Sequence, residues 1–324
     1  MKKIFLGLII AGILLLNMQT IASAQQKTKI VIIPKSGESV FWKSVRMGAK
    51  LGATALSGIE IIWDAPASED NVDQQISILE KYAVDDISGI MLSPLSQNEL
   101  APIVSKAMNK KIPVLIFDSS LKGVPGKDYI CFVGINNRKA GKLAGKHMAE
   151  LLKGKGKVVL FRHVKGQANT TEREEGFLEA MAGYPNIKLI EKDQYSGGTI
   201  EGAKKVGKSI LDKLQAADGV FCPNEPTTVG MLYTLQDAKL AGKIKFVGFD
   251  SPSVVVDALK KGEVNALVVQ DPARIGYQSM KSLVDHIRGK KIPKKINIDV
   301  QIVTKGNINN QEIQKLLALP GVSD

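Results

Sequence analysis

The chain has 324 residues, 44% hydrophobic and 23% charged, with 44 Lys and Arg against 32 Asp and Glu and a formal net charge of +12. That length accommodates two domains, each able to bury its own core, and the apolar fraction excludes a disordered chain. Two cysteines exclude a disulfide scaffold, and three histidines leave little room for a histidine-rich metal centre.

The first residues read as a targeting segment. Lys2 and Lys3 precede an apolar run from Ile4 to Leu16, and Ala22-Ser23-Ala24 supplies small residues behind it. A basic start, a run short of the roughly 20 residues that span a bilayer, and an A-x-A end describe a secretory signal peptide cleaved after Ala24. No cysteine lies near the cut, so no lipid anchor is expected. The mature chain is expected to begin near Gln25 and to reside in the periplasm of a two-membrane bacterium. Removing residues 1–24 takes away two lysines and no acids, lowering the net charge from +12 to +10. The remaining lysines are scattered as pairs, such as Lys110-Lys111 and Lys260-Lys261, with no basic stripe interleaved with aromatics. They read as solvated surface, and no nucleic-acid partner is expected. Export would permit a disulfide, but Cys131 and Cys222 lie in separate apolar runs and are expected as buried thiols in different domains.

Short β-branched runs then alternate with amphipathic helical stretches. Lys29–Ile33, Ile59–Trp63, Gly89–Leu92, Pro113–Phe117 and Tyr129–Val133 predict strands, with helices near 42–56, 70–84 and 97–109 between the first four. The rhythm resumes with strands near 157–161, 187–191, 218–222, 244–248 and 264–269, and helices near 138–152, 172–182, 199–214, 226–240 and 253–261. Strand, helix, strand at this spacing implies right-handed βαβ units and parallel sheets covered on both faces. One sheet does not hold so many units. Two doubly wound, Rossmann-like α/β domains are expected, dividing near Gly134–Asn137.

One pattern recurs in the second half. Asn224-Glu225-Pro226, Asp250-Ser251-Pro252 and Gln270-Asp271-Pro272 each follow an apolar strand and precede a helical stretch. Proline suits a first helical turn, with Ser251 and Asp271 as expected N-caps. Helix initiation does not explain the amide or carboxylate at each strand end, where open α/β sheets bind ligands. Asp118 and Asp64 end strands in the first half in the same way. After the first strand, Phe41 and Trp42 stand side by side in a chain only 5% aromatic; at least one is expected in the crevice, Trp42 the stronger candidate to stack on a sugar ring. Thr171-Glu172-Arg173-Glu174 reads as a capping box with Thr171 as N-cap. Arg173 would then sit in the first helical turn, either on the surface beside Glu172 or aimed into the crevice as a fork of donors.

No catalytic constellation is present. His147, His163 and His286 lack a neighbouring nucleophile motif and read as surface or core residues. Gly154-Lys155-Gly156 precedes a strand instead of following one, and so reads as a turn. No enzyme activity, metal or cofactor is expected.

The ordered set Phe41-Trp42, Ile112-Pro113-Val114 leading into Asp118, Arg173-Glu174-Glu175-Gly176-Phe177, Phe221 to Asn224, Val247-Gly248-Phe249-Asp250 and Gln270-Asp271-Pro272 resembles the periplasmic sugar-binding proteins of the ribose-binding type, receptors of ABC importers. The resemblance covers nearly the whole mature chain. It implies a type I periplasmic binding protein fold: two lobes joined by a three-strand hinge, with 27–134 plus 271–300 in the first and 138–270 plus 301–324 in the second. It also implies that Phe41 and Trp42 sandwich a sugar ring. Asp118 and Asp250 would accept from hydroxyls, Arg173 would donate a fork, and Asn224 and Gln270 would do both. Ser39 and Ser119 depart from the asparagine and arginine usual in ribose binders, which points to a different hydroxyl pattern, and Tyr195 would supply a further aromatic wall. The expected partners are a monosaccharide or sugar alcohol and a membrane permease, with the receptor a monomer. A receptor for a furanose-like signal or for chemotaxis, and an exported sugar-processing enzyme, are the competing readings.

Overall fold

The structure is a computed structural model that describes residues 27–37, 39–83 and 86–318. The segment expected as a signal peptide and the last six residues expected in the second lobe lie outside the described residues.

Six strands form the first sheet: β1 (Thr28–Ile33), β2 (Ile59–Trp63), β3 (Gly89–Leu92), β4 (Val114–Phe117), β5 (Cys131–Gly134) and β11 (Lys295–Asn297). Their order is β11-β5-β4-β3-β1-β2, with every pair parallel. The second sheet repeats the plan with β6 (Gly156–Leu160), β7 (Ile187–Glu191), β8 (Gly219–Phe221), β9 (Lys245–Phe249), β10 (Ala266–Val269) and β12 (Gln301–Thr304). Its order is β12-β10-β9-β8-β6-β7, and only β12 runs antiparallel to its neighbour. The inner strands are unbroken apolar runs because both faces of each sheet are covered by helices. All four residues of β3, β4, β5 and β10 are buried.

The first lobe carries α1 (Val40–Leu56), α2 (Val72–Tyr82), α3 (Ala101–Asn109) and α10 (Pro272–Ile287). The second carries α4 (Asn137–Leu151), α5 (Ala168–Met181), α6 (Ile200–Ser209), α7 (Leu211–Gln215), α8 (Glu225–Asp237), α9 (Ser253–Lys261) and α11 (Gln311–Leu317). The chain passes between lobes three times: from β5 to α4, from β10 to α10, and from β11 to β12.

Two helix pairs approach so closely that glycine is required. A Cβ at Gly48 of α1 would lie 1.8 Å from the Ala273 carbonyl oxygen of α10, and one at Gly276 would lie 2.1 Å from that of Val45. The second lobe has the same device. A Cβ at Gly141 of α4 would lie 1.9 Å from the Arg173 oxygen of α5, and one at Gly176 would lie 2.1 Å from that of Arg138.

Several local expectations are corrected. The capping box at Thr171 does not form, because α5 starts four residues earlier behind Gln167, which makes no side-chain cap. Arg173 is therefore in the second turn, not the first. Glu174 instead accepts from Arg162 Nη1 at 2.8 Å and the His163 amide at 3.1 Å. Ser251 is not a cap either: α9 begins after Pro252 with no side-chain bond. Asp271 does cap α10, accepting from the Arg274 amide at 2.8 Å. The helix expected over 199–214 is broken at Ile210. Cys131 and Cys222 are buried free thiols, one in each lobe. Among the described residues no helix is long and apolar enough to cross a membrane.

Candidate functional site

The carboxyl ends of the strands in both lobes face a small space between them. Of the sequence-derived candidates, Ser39, Phe41, Trp42, Asp118, Arg173, Asn224, Asp250 and Gln270 line it.

Asp118 follows β4 and Asp250 follows β9, at matching places in the two lobes. Both adopt left-handed backbone, with φ of 59° and 67°, a conformation aspartate tolerates better than most residues. Each amide still joins its sheet, Asp118 to the Val133 carbonyl and Asp250 to that of Val268, both at 2.9 Å. The turn so produced swings each carboxylate over the strand ends and into the cavity. Asp118 Oδ2 accepts from Ser93 Oγ at 3.1 Å and Asn169 Nδ2 at 3.0 Å. Asp250 accepts from Gln270 Nε2 at 2.8 Å and the Glu225 amide at 2.9 Å. Burial pushes the Asp250 carboxyl up to about 6, with the Arg173 cation pulling against it.

Arg173 is 1% exposed, so the surface alternative beside Glu172 is excluded. Its Nε donates to Asn137 Oδ1 at 2.8 Å and its Nη1 to the Pro223 carbonyl at 2.9 Å, with the guanidinium 4.0 Å above the Phe249 ring. Nη2 is buried without a hydrogen-bond partner, 3.9 Å from Asp118 Oδ1. A second orphan is Gln270 Oε1. Since the Gln270 amide nitrogen must face the Asp250 carboxylate, its oxygen is left as an acceptor. Asn224 does the reverse. Its Oδ1 caps α8, accepting from Thr227 Oγ1 at 2.8 Å and the Thr227 amide at 3.4 Å, so Nδ2 is left to donate. The two amides thus divide the roles that each was expected to combine.

The aromatic pair differs from the expected sandwich. Phe41 and Trp42 meet edge to face, with centroids 4.8 Å apart and planes at 88°. Two touching, perpendicular rings form a corner and cannot enclose a sugar between them. Trp42 also meets Phe117 edge-on at 6.1 Å, and its indole nitrogen donates to Glu69 Oε1 at 2.8 Å. Ser39 lines the space, but its hydroxyl oxygen caps α1 by accepting from the Trp42 amide.

Ser119 and Tyr195 do not line the cavity. Ser119 is fully buried behind Asp118, and Tyr195 packs its ring 5.6 Å from the Arg162 guanidinium. Asp64 is drawn off to Lys81 and Tyr82 at 3.0 and 2.9 Å.

The sequence reading missed the residues that bridge the lobes. Lys35, fully buried after β1, donates to Asn169 Oδ1 at 2.7 Å and Gln167 Oε1 at 3.1 Å, with Asp118 Oδ2 at 3.6 Å. Burial pushes its ammonium down, against the pull of Asp118 and Glu69. Glu69 joins Trp42 of its own lobe to His163 Nε2 of the other, at 3.2 Å. Burial alone would raise Glu69, but the bond and charge of His163, with Lys35 and Trp42, outweigh it and hold the carboxyl below its ordinary range. His163 is therefore neither surface nor plain core, but part of a polar bridge. Glu225 accepts from the Val40 and Phe41 amides at 3.1 and 2.9 Å. Among the described residues no group of three or more His, Cys, Asp or Glu is placed to hold a metal ion.

Two doubly wound lobes crossed three times by the chain, with a polar, aromatic-edged cavity between their strand ends, define a bilobal solute receptor. Residues 30–291 match the periplasmic binding protein domain family, and the chain belongs to that family. It is 26% identical over 281 residues to the D-ribose/D-allose-binding protein of Pseudomonas aeruginosa, covering 83% of this chain and 85% of the relative. A solute-binding protein of Agrobacterium vitis solved with D-fucose superposes with a TM-score of 0.86 at 29% identity, over 89% of this chain and 99% of the other. One from Agrobacterium radiobacter in complex with D-arabinose gives 0.84 at 28%, over 90% and 99%.

Proposed function

We propose that this chain is the sugar-binding component of an ABC importer, holding a monosaccharide or sugar alcohol between its lobes and delivering it to a membrane permease. The observation that carries the reading is the pair of buried orphans facing one small cavity, the donor Arg173 Nη2 and the acceptor Gln270 Oε1. An unmet buried polar group costs about 1–3 kcal/mol, and hydroxyls, which both donate and accept, satisfy both kinds. Asp118 and Asp250 would accept from hydroxyls, Arg173 and Asn224 would donate, and the Phe41–Trp42 corner would cover an apolar ring face. The lobes would be 27–134 plus 271–300 and 138–270 plus 301–324, closing about the three crossings. The binding role of relatives supports a receptor over an enzyme. Similarity to importer receptors supports a periplasmic location; cleavage after Ala24 and action as a monomer complete the proposal.

A thermal-shift panel of D-ribose, D-allose, D-fucose, D-arabinose and sugar alcohols, with product analysis of each mixture, tests this. A sugar at a hundred times its dissociation constant adds about 2.7 kcal/mol of stability. A saturable shift without product is expected. No shift with any member at millimolar concentration, or turnover of one, would sink the reading.

A further inference from the structure

Two helix N-termini confront each other across the cleft. The N-terminus of α1, in the first lobe, has free amides at Val40, Phe41 and Trp42. Its own cap, Ser39, serves only Trp42, at 3.3 Å. The other two amides are met from the second lobe, Val40 by Glu225 Oε1 and Phe41 by Glu225 Oε2. Glu225 opens α8, yet its carboxyl does not serve that helix, whose capping box is completed by Asn224 and Thr227. Its own amide is held by Asp250 at 2.9 Å. The side chain is thus anchored at its base in the second lobe and spends both oxygens on the first.

We infer that Glu225, whose side chain also borders the cavity, is a latch that holds the two lobes closed, setting the lifetime of the closed conformation through its bonds to α1. Opening the lobes strips α1 of two of its three N-terminal bonds and returns the Val40 and Phe41 amides to water. It also separates the N-terminus of α1 from the carboxyl group that faces it. Glu69 makes a second bridge through His163 from the opposite lobe, but it is also tied to Trp42 at the cavity wall, whereas Glu225 meets only backbone. A latch made with backbone amides works with any occupant of the cavity. It therefore slows release and gives the closed conformation a lifetime of its own.

The inference rests on the cleft being one that opens and closes, and its test is run without sugar so that it stands apart from the question of ligand. Fluorophores are placed on cysteines introduced by Ala55→Cys and Lys188→Cys, at exposed positions in different lobes; Cys131 and Cys222 are buried and stay unlabelled. Single-molecule energy transfer on sugar-free protein gives closed-state lifetimes. Glu225→Ala should shorten them about tenfold with little change in opening-independent thermal stability, because α8 keeps its cap. Glu225→Gln presents one amide oxygen and should recover an intermediate lifetime. If a ligand emerges from the panel, its dissociation rate should rise by the same factor while its association rate holds. Closed lifetimes within twofold of wild type in Glu225→Ala, or a wild-type protein with no closed excursions, would overturn the latch. A failed sugar panel with shortened lifetimes would overturn the ligand reading alone.

Discussion

Arg173 is where packing and recognition meet, and truncating it should damage both in separable ways. The guanidinium lies between Asp118 and Asp250, 3.9 Å from an Asp118 oxygen, and is 1% exposed. Removing one partner of a buried ion pair typically costs about 3–5 kcal/mol. Part is recovered here: burial holds the Asp250 carboxyl at about 6 even with the cation pulling against it, and loss of that charge moves it further up, so that protonation costs less. A loss near 3 kcal/mol, or roughly 6–12 °C in melting temperature for a lobe of this size, is expected for Arg173→Ala. Binding loses the Nη2 donor as well. A hydrogen bond to a charged group contributes about 1.5–3 kcal/mol, or roughly 10–150-fold in affinity. Arg173→Lys separates the two effects. It keeps the cation but cannot reach Asn137, the Pro223 carbonyl and the cavity together, because a point charge lacks the planar fork. It should restore much of the stability and still bind at least tenfold more weakly by calorimetry. Arg173→Lys binding within twofold of wild type would show that Nη2 is not a ligand donor.

Closure should consume protons. In the closed cleft burial raises Glu225 to about 7, reinforced by the Asp250 charge, and raises Asp250 to about 6 against the pull of Arg173. Glu69, Asp118 and the α1 amides complete the charged surroundings. Both pKa values lie above those of hydrated carboxyls, so their contribution to closure is full below pH 4. It is lost as pH rises through about 6 and then about 7. Affinity should therefore be higher at pH 5.5 than at pH 8, with proton uptake on binding between them. Glu225→Gln should flatten the upper part of the profile, and an affinity that rises with pH would contradict the assignment. Gly141→Ala should force α4 and α5 apart, because its Cβ would collide with the Arg173 backbone. Overpacking of this kind costs about 1–3 kcal/mol, so calorimetry should show a lower melting temperature and weaker sugar binding together. An unchanged melting temperature would show that the helices part freely.

What the sequence made legible follows from which signals are local. Asp118, Asn224, Asp250 and Gln270 each end an apolar strand just before a turn, and the parallel-sheet rule carries such positions to one crevice whatever the details of packing. The alternation of strands and helices likewise fixed two doubly wound lobes. Lys35, Glu69, Gln167 and Asn169 have no such signature. Lys35, Glu69 and Gln167 lie in loops and Asn169 in the first turn of α5, and only the approach of the two lobes gives them partners, Lys35 being 132 and 134 residues from the two amides it meets. That approach also explains the failed capping box. Gln167 gives its side chain to Lys35 and the Glu69 carbonyl across the cleft, so α5 begins uncapped at Ala168, and the local Thr-x-x-Glu pattern yields to the bond from Glu174 to Arg162. Tyr195 was misplaced for a similar reason: the Arg162 guanidinium beside it offers a surface that the cavity does not.

The repeated glycine contacts explain how a hinge can be loose while the site stays exact in shape. Two of the three crossings lead directly into helices, α4 at Asn137 and α10 at Pro272. Each of these is pressed backbone to backbone against a helix that carries site residues: α4 against α5 with Arg173, and α10 against α1 with Phe41 and Trp42. Contacts this close transmit displacement because interiors packed to crystal density have no slack to absorb it. If the lobes close as proposed, a change of backbone angle at a crossing would move the attached pair as one body, and the aromatic corner and the guanidinium would travel toward each other without altering their own surroundings. The polar bridges from Lys35, Glu69 and Glu225 can form only at the end of that travel. On the proposed function, affinity would be divided between groups that meet the sugar within each lobe and groups that reward the lobes for meeting.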